Sequence, residues 1–198
     1  MKIGIFGGTF NPPHIGHMIM AETATDTLSL DDVYFVPAAD PPHKVGVPRA
    51  SVADRITMVE LAISGNPRFH LSRVDVDRPG PHYAFETVAI FQEQNPGAEL
   101  HFLMGSDSLR DLLDWRKPEL LVERCKIVVM SRPVVPPDMD ELYARLPRLR
   151  ETLITISSPE VDISSTNIVS RVRSGKSVRY RLQDTVLEYI FQHGLYKY

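Results

Sequence analysis

Short apolar runs alternate along this chain with stretches whose apolar residues recur every three or four positions. KIGIF (2–6), VYFVP (33–37), ELHFLMG (99–105), CKIVVMS (125–131) and ETLITI (151–156) read as buried strands, and FHLSRVDV (69–76) as a strand of alternating pattern. IGHMIMAETATDTL (15–28), SVADRITMVELAIS (51–64), AFETVAIFQEQ (84–94), SDSLRDLLDW (106–115) and PELLVER (118–124) read as helices. A small helix lies within 132–150, and two more lie near 164–174 and 184–193. Ser51 is placed to cap its helix, whose apolar face carries Ile56, Val59, Ala62 and Ile63. Asn66-Pro67 and Asn95-Pro96-Gly97 end helices, and RPGPHY (78–83) is a turn. The segment 38–50 is rich in proline, lacks periodicity and reads as a loop.

Strands alternating with helices predict a parallel sheet covered on both faces. No internal repeat, low-complexity tract or linker divides the 198 residues. The expectation is a single α/β domain over 1–198, a doubly wound Rossmann-like sheet whose ligands bind beyond the carboxyl ends of the strands.

Composition changes this picture little. Hydrophobic residues are 43% and charged residues 24%, ordinary for a globular chain, and the net charge of −3 points to neither a nucleic-acid nor a membrane partner. The single cysteine, Cys125, excludes an intrachain disulfide and sits in an apolar run, so it reads as a packed thiol rather than a nucleophile. The first strand begins almost at residue 1, so no signal peptide is expected, and no apolar run approaches the roughly 20 residues a membrane span needs. The expected location is the cytoplasm.

The chemistry concentrates in GGTFNPPHIGH (7–17), directly after the first strand. Gly7 and Gly8 suggest a sharp turn and a close approach of ligand to backbone N–H groups. Pro12 and Pro13 stiffen the loop. His14 and His17 stand three apart, on one side of a helical first turn. Free N–H donors and the helix dipole favour an anion there. The bland alternative is a pair of solvated or packed histidines beside a glycine turn. A second candidate anion cradle is ISSTNIVSRVRSGKSVRYR (163–181), which contains no acidic residue and carries Arg171, Arg173, Lys176, Arg179 and Arg181. Ser164, Ser165 and Thr166 can cap a helix there, although a solvated basic face has the same composition.

His14-Ile15-Gly16-His17 has the form of the HxGH signature of nucleotidyltransferases, and the longer string resembles the opening of the bacterial nicotinate mononucleotide adenylyltransferase family. The resemblance extends to Ser164-Ser165-Thr166, the VP-x₃-PPHK stretch from Val36 to Lys44, Gly105 to Leu109, the lone Trp115 and the C-terminal LEYIFQHGLY. It implies an enzyme joining ATP and nicotinate mononucleotide to give deamido-NAD and pyrophosphate. His14 and His17 would be its catalytic donors. Gly7, Gly8, Thr9, Phe10, Gly16, Gly105, Asp107, Ser164, Ser165 and Thr166 would bind ATP. Lys44, Tyr83, Ala84, Thr87, Trp115 and Arg116 would bind nicotinate mononucleotide, with Trp115 stacking on the pyridine ring. Mg²⁺ would accompany ATP with mostly water ligands, and no residue is assigned to it as a dedicated metal site. A homo-oligomer is possible in such a family.

The residues taken alone leave simpler readings open. Asp107 is equally a helix-start acid, Lys44 a solvated lysine and Trp115 a packing residue. The chain also departs from the family pattern. Val169 stands where an arginine is usual, with Arg171 or Arg173 as substitutes, and Gln183 replaces a usual proline. Ala84 replaces the threonine of a SYT segment, beside an acid-threonine pair, Glu86 and Thr87. The competing expectations are transfer to nicotinamide mononucleotide or pantetheine phosphate, and a nucleotide sensor without turnover. A dinucleotide-binding oxidoreductase is disfavoured because no G-x-G-x-x-G follows the first strand.

Overall fold

The computed structural model describes residues 1–39, 49–131, 138–157, 159 and 161–197. Six parallel strands form one sheet: β1 (Lys2–Gly8), β2 (Asp32–Pro37), β3 (Phe69–Leu71), β4 (Glu99–Gly105), β5 (Lys126–Ser131) and β6 (Leu153–Ser157), in spatial order β3-β2-β1-β4-β5-β6. The described helices are α1 (Ile15–Leu28), α2 (Val52–Ile63), α3 (Ala84–Gln94), α4 (Ser106–Arg110), α5 (Pro118–Arg124), α6 (Met139–Arg145), α7 (Leu149–Thr152), α8 (Ser165–Arg173) and α9 (Asp184–Gln192). The expected doubly wound Rossmann-like sheet is therefore present. No described helix is long and apolar enough to cross a membrane.

Alternation along each strand sorts its side chains onto two faces. Ile3, Ile5, Phe102, Met104, Ile127 and Val129 face α3, α4 and α5, where Val88, Phe91, Leu109 and Leu121 complete a buried cluster. Phe6, Phe35, Leu103, Val128 and Met130 face α1 and α2, against Met20, Ala24, Val59 and Ile63. The outer side of α2, with Met58 and Ala62, packs on α8 and α9 through Ile168, Val172, Val186 and Ile190. The two C-terminal helices are thus bound to the face that carries α1.

Three expected elements are shorter at one end than their patterns suggest: the strand expected over 151–156 begins only at Leu153, because Glu151 and Thr152 close the short helix α7, and two others end early. The strand expected over 69–76 ends at Leu71. Beyond it, Val76 and Asp77 donate their N–H groups back to Arg73 O, and the Arg73 guanidinium grips the Asp77 carboxylate at 2.8 Å, so the chain closes into a turn. The helix expected over 106–115 stops at Arg110 and continues as a 3₁₀ turn, Leu112–Asp114, because the tighter winding buries Leu112 beside Leu109 and leaves Trp115 extended.

Sheet order reverses at β1: the chain winds outward to β2 and β3 on one side, then crosses to β4 on the other. The β1–β4 register ends at Phe6 opposite Leu103, whereas β1 stays paired with β2 as far as Gly8 opposite Pro37. The strands part past Phe6 and open a crevice at the carboxyl edge of the sheet.

At the opposite edge, His101 is 2% exposed, with Nε2 3.1 Å from the half-exposed Glu99 carboxylate. Burial holds its pKa below the ordinary 6.5, outweighing the pull of Glu99 in the other direction. The unfolded chain therefore binds this proton more readily than the folded one. The contribution of His101 to stability is therefore full above pH 6.5 and falls by up to about 1.4 kcal/mol per pH unit as the pH drops toward the depressed value. Urea denaturation between pH 5 and 7.5 is expected to show this acid limb, and His101→Gln is expected to flatten it; an unchanged slope in the variant would clear His101 of the effect.

Candidate active site

The crevice holds a cavity of about 370 Å³ lined by Phe6, Gly7, Gly8, Thr9, His17, Met20, Ala38, Phe102, Met104, Gly105, Asp107, Ser108 and Trp115. The β1–α1 connection and the β4–α4 junction supply its two sides. Of the expected ATP residues, Gly7, Gly8, Thr9, Gly105 and Asp107 are brought together here. Asp107 is exposed and pairs with Arg110 at 3.3 Å.

Gly7 and Gly8 do not make the turn. Both belong to β1, and the left-handed residue is Phe10, at φ 47°. Glycine is needed at position 8 for room: a Cβ there would lie 2.9 Å from the Phe10 ring. Phe10 does not reach the cavity. It is buried among Phe6, Phe35 and His17, with its ring centroid 5.1 Å from that of His17, and so props the imidazole from behind. Gly16 is also buried, in the first turn of α1.

His14 is the N-cap of α1 and His17 its third residue. The His14 N–H donates to His17 Nδ1 at 3.1 Å, which leaves Nε2 to carry the proton in the neutral ring. The two imidazoles stack at 3.7 Å, as the spacing suggests, but unequally. His17 stands on the cavity wall, while His14 is 3% exposed and is not among the wall residues.

The second candidate cradle abuts the first. Ser165 Oγ donates to Pro12 O at 2.9 Å, and Ile15 N–H donates to Arg181 O at 3.0 Å. The start of α8 and the segment after it are thereby fastened to the loop before α1. Ser164 caps α8 by accepting the Asn167 N–H at 3.2 Å, and Thr166 is exposed. Ser165 is a tether here, because its hydroxyl proton is engaged by Pro12. Arg171 and Arg173 lie in the last turn of α8, away from its start, and Arg171 donates to Ser177 O at 2.8 Å.

A second cavity, of about 590 Å³, is lined by His82, Tyr83, Ala84, Phe85, Asp114, Trp115, Arg116, Lys117, Pro118 and Leu121. Trp115 is in the wall of both cavities, packed edge-on against Phe102. Tyr83, Ala84, Trp115 and Arg116 are brought together as expected. Tyr83 is the N-cap of α3, so the leading N–H groups of that helix, which lack intrahelical acceptors, lie at this wall. Lys117 adds a cation 5.5 Å from the Phe85 ring centroid.

Thr87 is a correction. It is buried, and its hydroxyl donates to Asp75 at 2.7 Å rather than reaching the cavity. Asp75 and Glu86 flank the Arg78 guanidinium at 3.1 and 3.0 Å, and His82 Nε2 lies 3.0 Å from Arg78 O. This network fixes the start of α3. Lys44 lies outside the described residues. Cys125, expected to be inert, is buried, and its thiol is pushed up to about 12.

Sequence reasoning missed Phe6, Met20, Ala38, Phe102, Met104 and Ser108 on the first wall, and on the second His82, Phe85, Asp114, Pro118, Leu121 and above all the cation Lys117. Apolar wall residues carry no sequence signal that separates them from core. Lys117 had one: it follows Arg116 directly, beside a proline that starts α5.

The cytidylyltransferase-like family model matches residues 5–171. A protein of Thermomicrobium roseum named probable nicotinate-nucleotide adenylyltransferase is 43% identical over 99% of this chain and 92% of its own. One of the same name from Thermus thermophilus is 44% identical over 100% of both. Among solved structures, the Plasmodium falciparum nicotinic acid mononucleotide adenylyltransferase complexed with NaAD superposes with a TM-score of 0.81 at 18% identity, covering 98% of this chain and 97% of that one, which establishes the likeness of fold.

Gly8→Ala tests the packing argument. Phe10 is 2% exposed and packed against Phe6, Phe35 and His17, so the substitution is expected to cost about 1–3 kcal/mol in chemical denaturation. A wild-type midpoint would show that the ring yields. The parted strands, the loop after β1 with its stacked histidines and these full-length matches lead to one conclusion: the chain belongs to the nicotinate-nucleotide adenylyltransferase family, within the cytidylyltransferase-like proteins.

Proposed function

We infer that the chain transfers the adenylyl group of ATP to the phosphate of nicotinate mononucleotide, forming deamido-NAD and pyrophosphate in NAD biosynthesis. The observation that carries this reading is the pair of cavities sharing Trp115. One offers phosphate donors, and the other a flat aromatic wall, a helix start and two cations.

The triphosphate lies along the first cavity, against Gly7, Gly8 and Thr9 and beside His17. The pyridine nucleotide occupies the second. Its ring stacks on Trp115, and its carboxylate meets the leading N–H groups of α3 at Tyr83 and Ala84, with Arg116 and Lys117 nearby. Backbone donors make the threonine missing at Ala84 dispensable. A nicotinate phosphate oxygen attacks the α-phosphorus. An O–P bond forms, the bond to the β-phosphate bridging oxygen breaks, and pyrophosphate leaves with the electron pair. The attacking phosphate is already anionic, so no general base is needed. The barrier is the meeting of two anions, and it is lowered by positioning and by donors preorganised toward developing charge. His17 Nε2–H is such a donor, and His14, stacked on it, fixes its tautomer through the backbone N–H. Mg²⁺ enters with ATP as part of the substrate and keeps mostly water ligands.

Losing one preorganised donor at such a site typically costs about 2.7–4 kcal/mol of barrier. His17→Ala is therefore expected to lower kcat at least roughly a hundredfold while leaving the fold intact; full turnover would remove His17 from the chemistry. Pyrophosphate release with a panel of acceptors is expected to favour nicotinate mononucleotide over its amide and over pantetheine phosphate. Arg116→Gln is expected to narrow the acid-over-amide preference mainly through KM for the acid. A strong preference for the amide in the wild-type protein would overturn the substrate assignment.

A further inference from the structure

The phosphate loop, residues 9–12, is held from below by groups with no part in the chemistry just described. Arg55, 1% exposed in the first turn of α2, donates Nη1 to Thr9 O at 2.8 Å and Nη2 to Ala39 O at 3.1 Å. Asn11 Oδ1 accepts two bonds, from Ala50 N–H at 3.0 Å and from the Tyr196 hydroxyl at 2.9 Å. Tyr196 belongs to the last residues of the chain, 185 positions from Asn11.

Its position follows from a helix ending. After α9, Gly194 takes a left-handed conformation (φ 62°), its N–H donates to Phe191 O, and Leu195 N–H donates to Ile190 O. This double closure reverses the chain. Leu195 packs on the α2–α8–α9 cluster, and Tyr196 turns inward and is buried there. Tyr189, on α9 itself, donates to Asp54 at 2.9 Å, next to Arg55. Burial raises the Tyr196 phenol well above its ordinary value, so it remains a protonated donor at working pH.

We propose that Tyr196 is a positioning residue for adenylyl transfer, acting through Asn11 to hold the backbone of residues 9–12 in the geometry that receives the triphosphate. Arg55 does the same through the Thr9 carbonyl. Thr9 is the member of the loop on the cavity wall, so displacement of Asn11 is felt there two residues away. A residue acting this way affects the ATP side of the reaction and leaves the pyridine side alone, because the cavity bounded by Tyr83, Arg116 and Lys117 is built from other elements. The inference rests on the reading of loop 9–12 as the ATP loop.

The test is steady-state kinetics on the full chain with each substrate varied in turn, for Tyr196→Phe, Asn11→Ala and the double variant, with circular dichroism to establish folding. Tyr196→Phe removes one hydroxyl and is expected to raise KM for ATP roughly 3- to 10-fold, the scale of one hydrogen bond, with KM for nicotinate mononucleotide unchanged. In the Asn11→Ala background the same change is expected to add nothing, since the acceptor is gone. A folded Tyr196→Phe enzyme with wild-type KM and kcat for ATP, or effects that simply add in the double variant, would overturn the inference. Should Tyr196→Phe fail to fold, Asn11→Ala carries the test alone: an ATP-specific rise in KM supports the role and wild-type kinetics overturns it. Failure of the functional reading looks different, because the wild-type protein would then release no pyrophosphate from ATP and nicotinate mononucleotide.

Discussion

Distant parts of the chain converge to fix the backbone of a loop without secondary structure, the loop that in the proposed reading receives a polyanion. Residues 9–14 form neither strand nor helix, so their N–H and C=O groups have no regular ladder. Arg55 engages Thr9, Tyr196 and Ala50 engage Asn11, and Ser165 engages Pro12. The helix that follows begins with Ile15 bonded to Arg181. Each such bond contributes only about 0.5–1.5 kcal/mol net, but leaving a buried one unmade costs more. The donors at this site are therefore as rigid as the cluster of α2, α8 and α9 beneath them. That rigidity is what electrostatic catalysis requires, since a donor that reorients during reaction spends on its own movement what it would give to the transition state.

The same convergence explains what could be read from the sequence. Elements whose identity depends on local pattern were legible: α1, α3 and β4 occupy the expected residues. So was the sheet, because buried parallel strands announce themselves as apolar runs. Elements decided by a partner were not. The expected third strand stops at Leu71, and the chain then turns at Arg73, whose carbonyl accepts the Val76 and Asp77 N–H groups. Arg55 reads as one more polar position of an amphipathic helix, and only carbonyls 46 and 16 residues away make it a buried residue. Phe10 belonged to a motif associated with nucleotide, yet its backbone conformation sends its ring into the core. A motif marks where chemistry happens. It does not say which of its members face the ligand and which hold the others still.

Dividing the site into two cavities with a shared tryptophan separates two electrostatic problems. In the proposed reading the triphosphate side has no lysine or arginine among the described wall residues, so its charge would fall to backbone N–H groups and His17. The other side has Arg116, Lys117 and a helix start around a smaller anionic group. Strong fixed cations at the reacting phosphates would hold product as tightly as transition state, and uniform binding of that kind does not raise turnover.

The valine at position 169 can be weighed on the same terms. It lies partly buried against the cluster that includes Ile168 and Val172, so it contributes packing where the family has a cation. Of the two candidate replacements, Arg171 is two residues on, about 200° around the helix, and its Nε is already bonded to Ser177 O. Arg173 is four residues on and shares the face of Val169, one turn nearer the helix end. Side chains in a helix lean toward its N-terminus, so an arginine at 173 recovers part of that turn along its own length. Helix geometry thus puts Arg173, and not Arg171, on the face of Val169, at the last residue of α8. The remaining distance to the start of α8 is screened by solvent, which makes the tether from Ser165 to Pro12, rather than any single arginine, the feature that joins this helix to the phosphate loop.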